Sequence, residues 1–195
     1  MMQKITASIE ISPKQAIESE DLPNLFPKET RVYITDVGTD SNEILVKAAK
    51  RVSDLGYRAV PHFASRRIVS KTRLEERIKA MANDSGVKDV LVIGGGLEKP
   101  AGEIHEAMHV LETGFFDVHG IKHIGIAGHP EGSPDFDEKT ALHALKLKQD
   151  FAERSDANLR IVTQFGFDAT KFIAWAEVCS GLSELQRPCF KMIFL

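Results

Sequence analysis

The sequence predicts an α/β fold made of parallel βα units, and three observations predict it. Short apolar runs rich in β-branched residues alternate with longer runs whose apolar residues recur at helical spacing. The connections between these runs are short, and glycine or proline marks many of their ends. One short run, DVLVIGG (89–95), is almost wholly apolar, as a strand buried on both faces of a parallel sheet should be.

Each element follows from its local pattern. Strands are predicted in the ranges 5–11, 31–37, 57–65, 89–95, 122–128 and 160–167. Helices are predicted in the ranges 41–56, 71–86, 101–114, 138–155 and 169–179. Six such units fit either a doubly wound sheet or most of a (β/α)8 barrel, although a barrel normally takes about 250 residues. The run 182–195 fits a seventh strand with an open edge, which makes 180–195 an atypical tail.

The composition predicts one globular domain over residues 1–195, because 43% of the residues are apolar and 27% are charged. The net charge of −3 gives no electrostatic reason to expect binding to nucleic acid or to an anionic membrane. No apolar run approaches a membrane span, and the first residues lack the pattern of a secretory signal. Two cysteines make neither a disulfide framework nor a zinc spacing, so a cytoplasmic protein is expected.

Polar residues follow all six predicted strands, at the end where parallel βα folds carry their sites. These residues, together with the glycines that end the fourth strand, are Glu10, Thr35, Asp36, His62, Ser65, Arg66, Gly94, Gly95, Gly96, His129, Glu131, Thr163, Gln164 and Asp168. Strand ends are also polar in proteins without a site there, because they meet water. Polar residues at all six ends favour an enzyme.

The glycine run after the fourth strand does not match a dinucleotide fingerprint, because Lys99 stands where the template needs its last glycine. Three glycines in a row instead favour the close approach of a flat ligand over a simple turn. HEAMH (105–109) matches the zincin pattern formally, with His105 and His109 on one helix face. We favour two surface or half-buried histidines there, because this helix should lie outside the sheet.

Glu10 is the carboxylate that most suggests chemistry, since it lies in an apolar strand between two isoleucines that point the other way. Partial burial there should raise its pKa, as a general acid near neutral pH requires. The alternative is a half-exposed glutamate on an edge strand. The loop IAGHPEGSP (126–134) leaves three interpretations open: a metal site, an acid/base pair, or a turn shaped by proline and glycine.

Four motifs in this order resemble the methylenetetrahydrofolate reductase family: SIEISPK (8–14), PHF (61–63), IAGHPEGSP (126–134) and VTQFGFD (162–168). The resemblance covers about residues 5–178. That family is a (β/α)8 TIM barrel that holds FAD and reduces methylenetetrahydrofolate to methyltetrahydrofolate with NADH or NADPH. The resemblance therefore implies a TIM-barrel type of fold, incomplete here, with about six βα units and a seventh strand.

The resemblance also implies a role for each matching residue. Glu10 would be the catalytic acid that protonates the folate, and Gln164, beside Thr163, would contact the folate substrate. The residues that it places at the FAD are Thr35, His62, Gly94, Gly95, His129, Ser133 and Lys148. No metal ion is expected, because no ordered ligand spacing supports one, and the formation of a homo-oligomer is left open.

Three positions depart from the family pattern. Gly96 stands where the family has an aspartate near the flavin, His129 replaces an aromatic residue, and Ser133 replaces a histidine. A second hypothesis is therefore a catalytically inactive homologue that binds folate or flavin, or a truncated barrel.

Overall fold

The computed structural model describes residues 7–164, 166–181 and 191–194. The chain divides into two compact units, Met1–Lys122 and His123–Leu195. A single domain over residues 1–195 stays a prediction.

The first unit is a parallel sheet flanked by helices. Its strands are β1 (Ser8–Ile11), β2 (Arg31–Ile34), β3 (Arg58–Ala64) and β4 (Asp89–Ile93). Its helices are α1 (Pro13–Glu18), α2 (Leu22–Leu25), α3 (Asn42–Asp54), α4 (Lys71–Asp84), α5 (Ala107–Leu111) and α6 (Phe115–Val118). The strand order is β1-β2-β3-β4 with parallel pairing throughout. Doubly wound sheets reverse their order within the first four strands, so this order is consistent with an incomplete α/β barrel.

The two predicted helices α3 and α4 are confirmed, and both begin at a serine cap. The hydroxyl of Ser41 accepts a hydrogen bond from the Ile44 N–H, and that of Ser70 accepts one from the Arg73 N–H. Beyond α3, Gly56 adopts a φ of +80°, which glycine tolerates best. The buried faces of the two helices are formed by Leu45, Ala48, Ala49, Val52, Leu74, Ile78 and Met81. Each large side chain among them stabilises the unit by roughly 1.5–3 kcal/mol.

The helix predicted over 101–114 is wrong in its first half. Regular structure starts only at Ala107, and residues 94–106 form a loop. The Ala101 N–H donates to the Arg66 carbonyl at 2.8 Å, instead of starting a helix. A Cβ at Gly102 would overlap the backbone of Val69. Tertiary contacts of this loop therefore override the helical spacing of its sequence.

The second unit contains β5 (His123–Gly128), β6 (Asn158–Thr163) and β7 (Lys191–Phe194), all parallel and in that order. Its helices are α7 (Glu138–Glu153) and α8 (Ala169–Gly181). The predicted seventh strand is thus confirmed for Lys191–Phe194, whereas residues 182–190 and 195 of the predicted tail lie outside the described residues. Within the described ranges, no helix combines the length and the apolar character needed to span a bilayer.

Candidate functional site

The register of the first three strands brings Glu10, Tyr33 and His62 to one face of the sheet. Glu10 lies opposite Tyr33, and Tyr33 lies opposite Val60. His62 is two residues beyond Val60 on β3, so its side chain leaves the sheet on the same side. The rings of Tyr33 and His62 meet edge to face, with centroids 6.1 Å apart.

His62 is a buried, neutral imidazole. Only 6% of the residue is exposed. Burial lowers the pKa of His62 to about 4; the charge of Asp36 opposes this shift and that of Arg77 adds to it. Its Nε2 lies 3.5 Å from Oε2 of Glu10, without hydrogen-bond geometry, and has no hydrogen-bond partner among the described residues. An uncharged ring nitrogen beside Glu10 is therefore free to bond to a ligand.

Glu10 is a half-exposed glutamate on an edge strand, as the alternative interpretation expected, and it also has the predicted direction of pKa shift. Its side chain is 45% exposed, and β1 lies at the edge of the sheet. Partial burial raises the pKa of Glu10 above its ordinary value of 4.5. The neighbouring imidazole is neutral near pH 7, so no cation at this position lowers the pKa again. The predicted direction is confirmed, while the role of Glu10 as an acid stays a prediction.

A buried ion pair supports His62 from behind the sheet. Nη1 of Arg77 lies 2.7 Å from Oδ2 of Asp36, and Nη2 donates to the backbone carbonyl of His62. The guanidinium also stacks on Phe63, 4.3 Å from its ring centroid. Arg77 thus fixes the strand segment that carries His62. Arg77 was not among the residues predicted from the sequence, although one pattern indicates it: an arginine within the apolar stripe of α4.

The other predicted residues of the first unit lie in the loops after β2 and β4. Thr35 is half-buried, and its N–H donates to the Ile11 carbonyl at 3.1 Å. The Gly94 carbonyl accepts a hydrogen bond from the Arg66 N–H. Gly95 has a φ of +82°, and a Cβ there would lie 3.1 Å from Cβ of Ala64. A Cβ at Gly94 or Gly96 would meet open space, so this loop presents bare backbone, as a close-approaching ligand needs.

The zincin arrangement that HEAMH matches formally does not form on a helix. His105 and Glu106 precede α5, and only His109 lies within it. Nδ1 of His109 accepts a hydrogen bond from the His105 backbone N–H at 3.3 Å. Among the residues that the structure describes, no group of three or more His, Cys, Asp or Glu side chains could hold a metal ion. The interpretation as two ordinary histidines fits this geometry.

In the second unit, the loop after β5 is a turn. Gly132 has a φ of +86°, and its N–H donates to the His129 carbonyl. The half-buried imidazole of His129 packs edge to face on Phe136 at 5.0 Å. Burial lowers the pKa of His129, and the charge of Lys148 lowers it further. His129 is thus neutral near pH 7, and Lys148, buried on α7, acts on it electrostatically.

Glu131 joins this turn to the loop after β6. Its Oε1 accepts hydrogen bonds from the backbone N–H groups of Phe167 at 2.6 Å and Asp168 at 2.5 Å. The Asp168 carboxylate in turn caps α8 by accepting from the N–H groups of Thr170 and Lys171. Glu131 therefore has a structural role as a hydrogen-bond acceptor. This role argues against the interpretations of the loop as a metal site or an acid/base pair, since both need the Glu131 carboxylate.

A cavity of about 340 Å³ lies between this turn, α7 and α8. Its apolar walls include Phe136, Leu142, Ala174 and Trp175, and Lys171 and Ser133 add polar groups. Thr163 is buried at the end of β6, and its Oγ1 has no hydrogen-bond partner in the described part of the chain. Gln164, the next residue, is exposed. This unit thus combines an apolar pocket with polar groups at a strand end.

Replacing Glu131 by alanine should loosen the start of α8. Two backbone N–H groups lose their acceptor, so the free energy of unfolding should fall by about 1–2 kcal/mol. Amide hydrogen exchange at Phe167 and Asp168 should become faster, and urea unfolding measures the free energy. Glu177→Ala, which removes an exposed carboxylate on the same helix, is the control. Equal exchange rates in both variants would contradict the assigned role.

Stability should fall on acidification because of His62. Its pKa drops from 6.5 in the unfolded chain to about 4 in the fold, so its contribution is complete above pH 6.5. The contribution is lost as the pH falls from 6.5 towards 4, and it amounts to about 3 kcal/mol. Urea unfolding across this range should show a smaller pH dependence for His62→Gln than for the unchanged chain. An identical pH dependence would contradict a buried neutral His62.

Comparisons with known proteins give a short match. No family profile matches the chain. A segment of 55 residues, 28% of this chain, is 49% identical to methylenetetrahydrofolate reductase 1 of Schizosaccharomyces pombe. The segment spans 8% of the length of that protein. The match supports a partial likeness to a methylenetetrahydrofolate reductase.

Proposed function

We propose that this chain catalyses the flavin-dependent reduction of 5,10-methylenetetrahydrofolate to 5-methyltetrahydrofolate with NADH or NADPH. Two lines of support meet here: the four motifs that resemble the family, and the 49% identity of a 55-residue segment to a protein of that name. The chain would then be an oxidoreductase of folate one-carbon metabolism.

The observation that carries the proposal is the pair formed by Glu10 and His62. Burial raises the pKa of Glu10, so its carboxyl holds a proton at a higher pH than an exposed glutamate does. A protonated Glu10 would donate that proton to the folate, so that the reactive iminium can form. The imidazole of His62, 3.5 Å away, is neutral and does not lower the pKa of Glu10. A cation at that position would lower this pKa, because it would stabilise the carboxylate.

The residues of the first unit fit a flavin ring. Nε2 of His62 has no hydrogen-bond partner in the described residues. The polar edge of a flavin ring would supply that partner. Gly94 exposes backbone where a Cβ would meet open space, which lets a flat ring approach, and Gly95, with its φ of +82°, shapes the same loop. Thr35, half-buried after β2, would contact the same ring. FAD, when bound, would supply the hydride.

The proposed contacts of the second unit follow the resemblance. His129, Ser133 and Lys148 would hold parts of the cofactor, with the charge of Lys148 suited to phosphate. Gln164 and Thr163 would bind the folate, since one is exposed and the other has an unpartnered Oγ1 within the described residues. Each of these contacts is a proposal that a substitution can test.

The proposal is tested by adding FAD to the purified protein and recording its visible spectrum. We expect bound flavin, and bleaching of its absorption band when NADH or NADPH is added without oxygen. His62→Leu should weaken flavin binding by about tenfold, because it removes one hydrogen-bonding group and keeps an apolar side chain. His143→Leu, at an exposed position of α7, is the control. A protein that never binds flavin would refute the proposal.

A second candidate function is a binding protein without reductase activity. It is favoured by Gly96, where the family carries an aspartate near the flavin and this chain has open space. The spectrum separates the two candidates. Flavin that binds but is not bleached by either nicotinamide cofactor would identify the binding protein.

A further inference from the structure

We propose that a cavity between the starts of α3 and α4 binds a phosphate group, at a site apart from the face that carries Glu10. The cavity has a volume of about 270 Å³ and lies within the first unit. Its polar lining consists of Ser41, Asn42, Glu43, Arg67, Arg73 and Arg77. This volume suits a small anion or one phosphate group better than a whole cofactor. The inference does not rest on the proposed reductase activity.

Arg67 supplies a cation that the described residues do not neutralise. It is half-buried, and it has no ion pair or hydrogen bond with another described side chain. Its guanidinium lies over Gly38, where a Cβ would overlap it. Gly38 has a φ of +80° and donates its N–H to Asp36 at 3.2 Å, which fixes the loop beneath the guanidinium. The charge of Arg67 is thus held at the cavity without a counter-ion in the described structure.

Arg77 provides a second, independent observation. It lines the cavity although only 6% of the residue is exposed. Two of its nitrogens bond to Asp36 and to the His62 carbonyl, but its buried Nε has no hydrogen-bond partner in the described chain. A buried donor without an acceptor costs free energy. A bound anion would add a favourable charge interaction with Arg77, which lines the cavity.

Glu43 already marks the cavity as a place that favours negative charge. Hydrogen bonds from Ser41 and from its own backbone N–H, together with the charge of Arg73, lower the pKa of Glu43. This carboxylate lies in the first turn of α3, where a helix favours an anion. A ligand anion would compete with it for these donors. Removing the charge of Glu43 should therefore strengthen anion binding.

The donors favour phosphate over carboxylate. Three arginines line the cavity, and the planar N–H forks of Arg67 and Arg73 match the several oxygens of a phosphate, while Arg77 adds positive charge. Arg73 is available for this, because its pair with Glu76 at 3.2 Å is exposed and such pairs are weak. A carboxylate, with two oxygens, would leave more of these donors unused.

The test is isothermal titration calorimetry of the full chain with inorganic phosphate at a pH where phosphate is a dianion. Arg67→Met should weaken binding by about ten- to a hundredfold, and Glu43→Gln should strengthen it severalfold. Arg58→Met is the matched control, since Arg58 pairs with an exposed Glu29 and does not line the cavity. The absence of phosphate binding, or equal losses in Arg67→Met and Arg58→Met, would overturn the proposal. If Arg67→Met fails to fold, Glu43→Gln still decides, because unchanged or weaker binding in that variant contradicts the site.

Competition distinguishes two sources of the phosphate. If NADPH displaces inorganic phosphate and NADH does not, the cavity takes the phosphate ester of the dinucleotide. If neither displaces it, the cavity takes free phosphate. Both results support the site, and they identify its ligand independently of any reductase assay.

Discussion

Glu10→Gln should abolish the reduction of methylenetetrahydrofolate while flavin reduction by NADH continues at its normal rate. Glutamine keeps the shape of the side chain but has no proton to give at neutral pH. The loss of a general acid lowers a rate by about 10²- to 10⁴-fold. The two half-reactions can be followed separately by the bleaching and the recovery of the flavin absorption, so the prediction concerns the second one alone.

The pH profile of the same half-reaction sharpens this prediction. Because burial raises the pKa of Glu10, the rate should stay high to a pH above the ordinary value of 4.5 and then fall as the carboxyl loses its proton. Glu20→Gln, which changes an exposed glutamate, should leave both half-reactions unchanged. A Glu10→Gln protein that also loses reduction by NADH would refute the assigned role, since the defect would then lie in flavin binding.

Asp36→Asn should destabilise the protein more than a surface substitution of the same kind. It leaves the buried guanidinium of Arg77 without its counter-ion at 2.7 Å. Breaking a buried ion pair by removing one partner costs about 3–5 kcal/mol. Urea unfolding at neutral pH measures this loss, and the double variant Asp36→Leu/Arg77→Met should lose less than the single one, because no unpaired charge stays buried.

The control for this prediction is Asp54→Asn, which breaks the exposed pair with Lys50 on α3. That change should cost no more than about 0.5 kcal/mol. Similar losses in Asp36→Asn and Asp54→Asn would show that the Asp36–Arg77 pair does not support the segment of His62. The comparison thus separates a structural pair from ordinary surface charge.

The sequence predicted the strands and long helices well, because their patterns are local. Strand β4 reads as one apolar run, and α4 shows helical spacing between a serine and Gly86. The loop 94–106 could not be predicted in this way. Its course depends on contacts of Ala101 with the carbonyl of Arg66 and of Gly102 with the backbone of Val69. Both partners lie far away in the sequence, so these contacts leave no local pattern.

The candidate site was predictable only in part. The alternation along β1 indicated that Glu10 would be partly buried, and its pKa is indeed raised. The neighbourhood of Glu10 and His62 depends on the register of three strands, which the sequence alone does not reveal. The hydrogen bonds that Glu131 accepts from the N–H groups of Phe167 and Asp168 were equally unpredictable from the sequence. These two residues lie 36 and 37 positions after Glu131.

The most direct test of the central claim is the reoxidation of the NADH-reduced, flavin-loaded protein by methylenetetrahydrofolate in the absence of oxygen. We expect the flavin absorption to return as 5-methyltetrahydrofolate forms, with one molecule of product for each flavin that is reoxidised. The oxidised flavin and the product are measured in the same sample. A reduced flavin that stays bleached after methylenetetrahydrofolate is added would contradict the proposed activity.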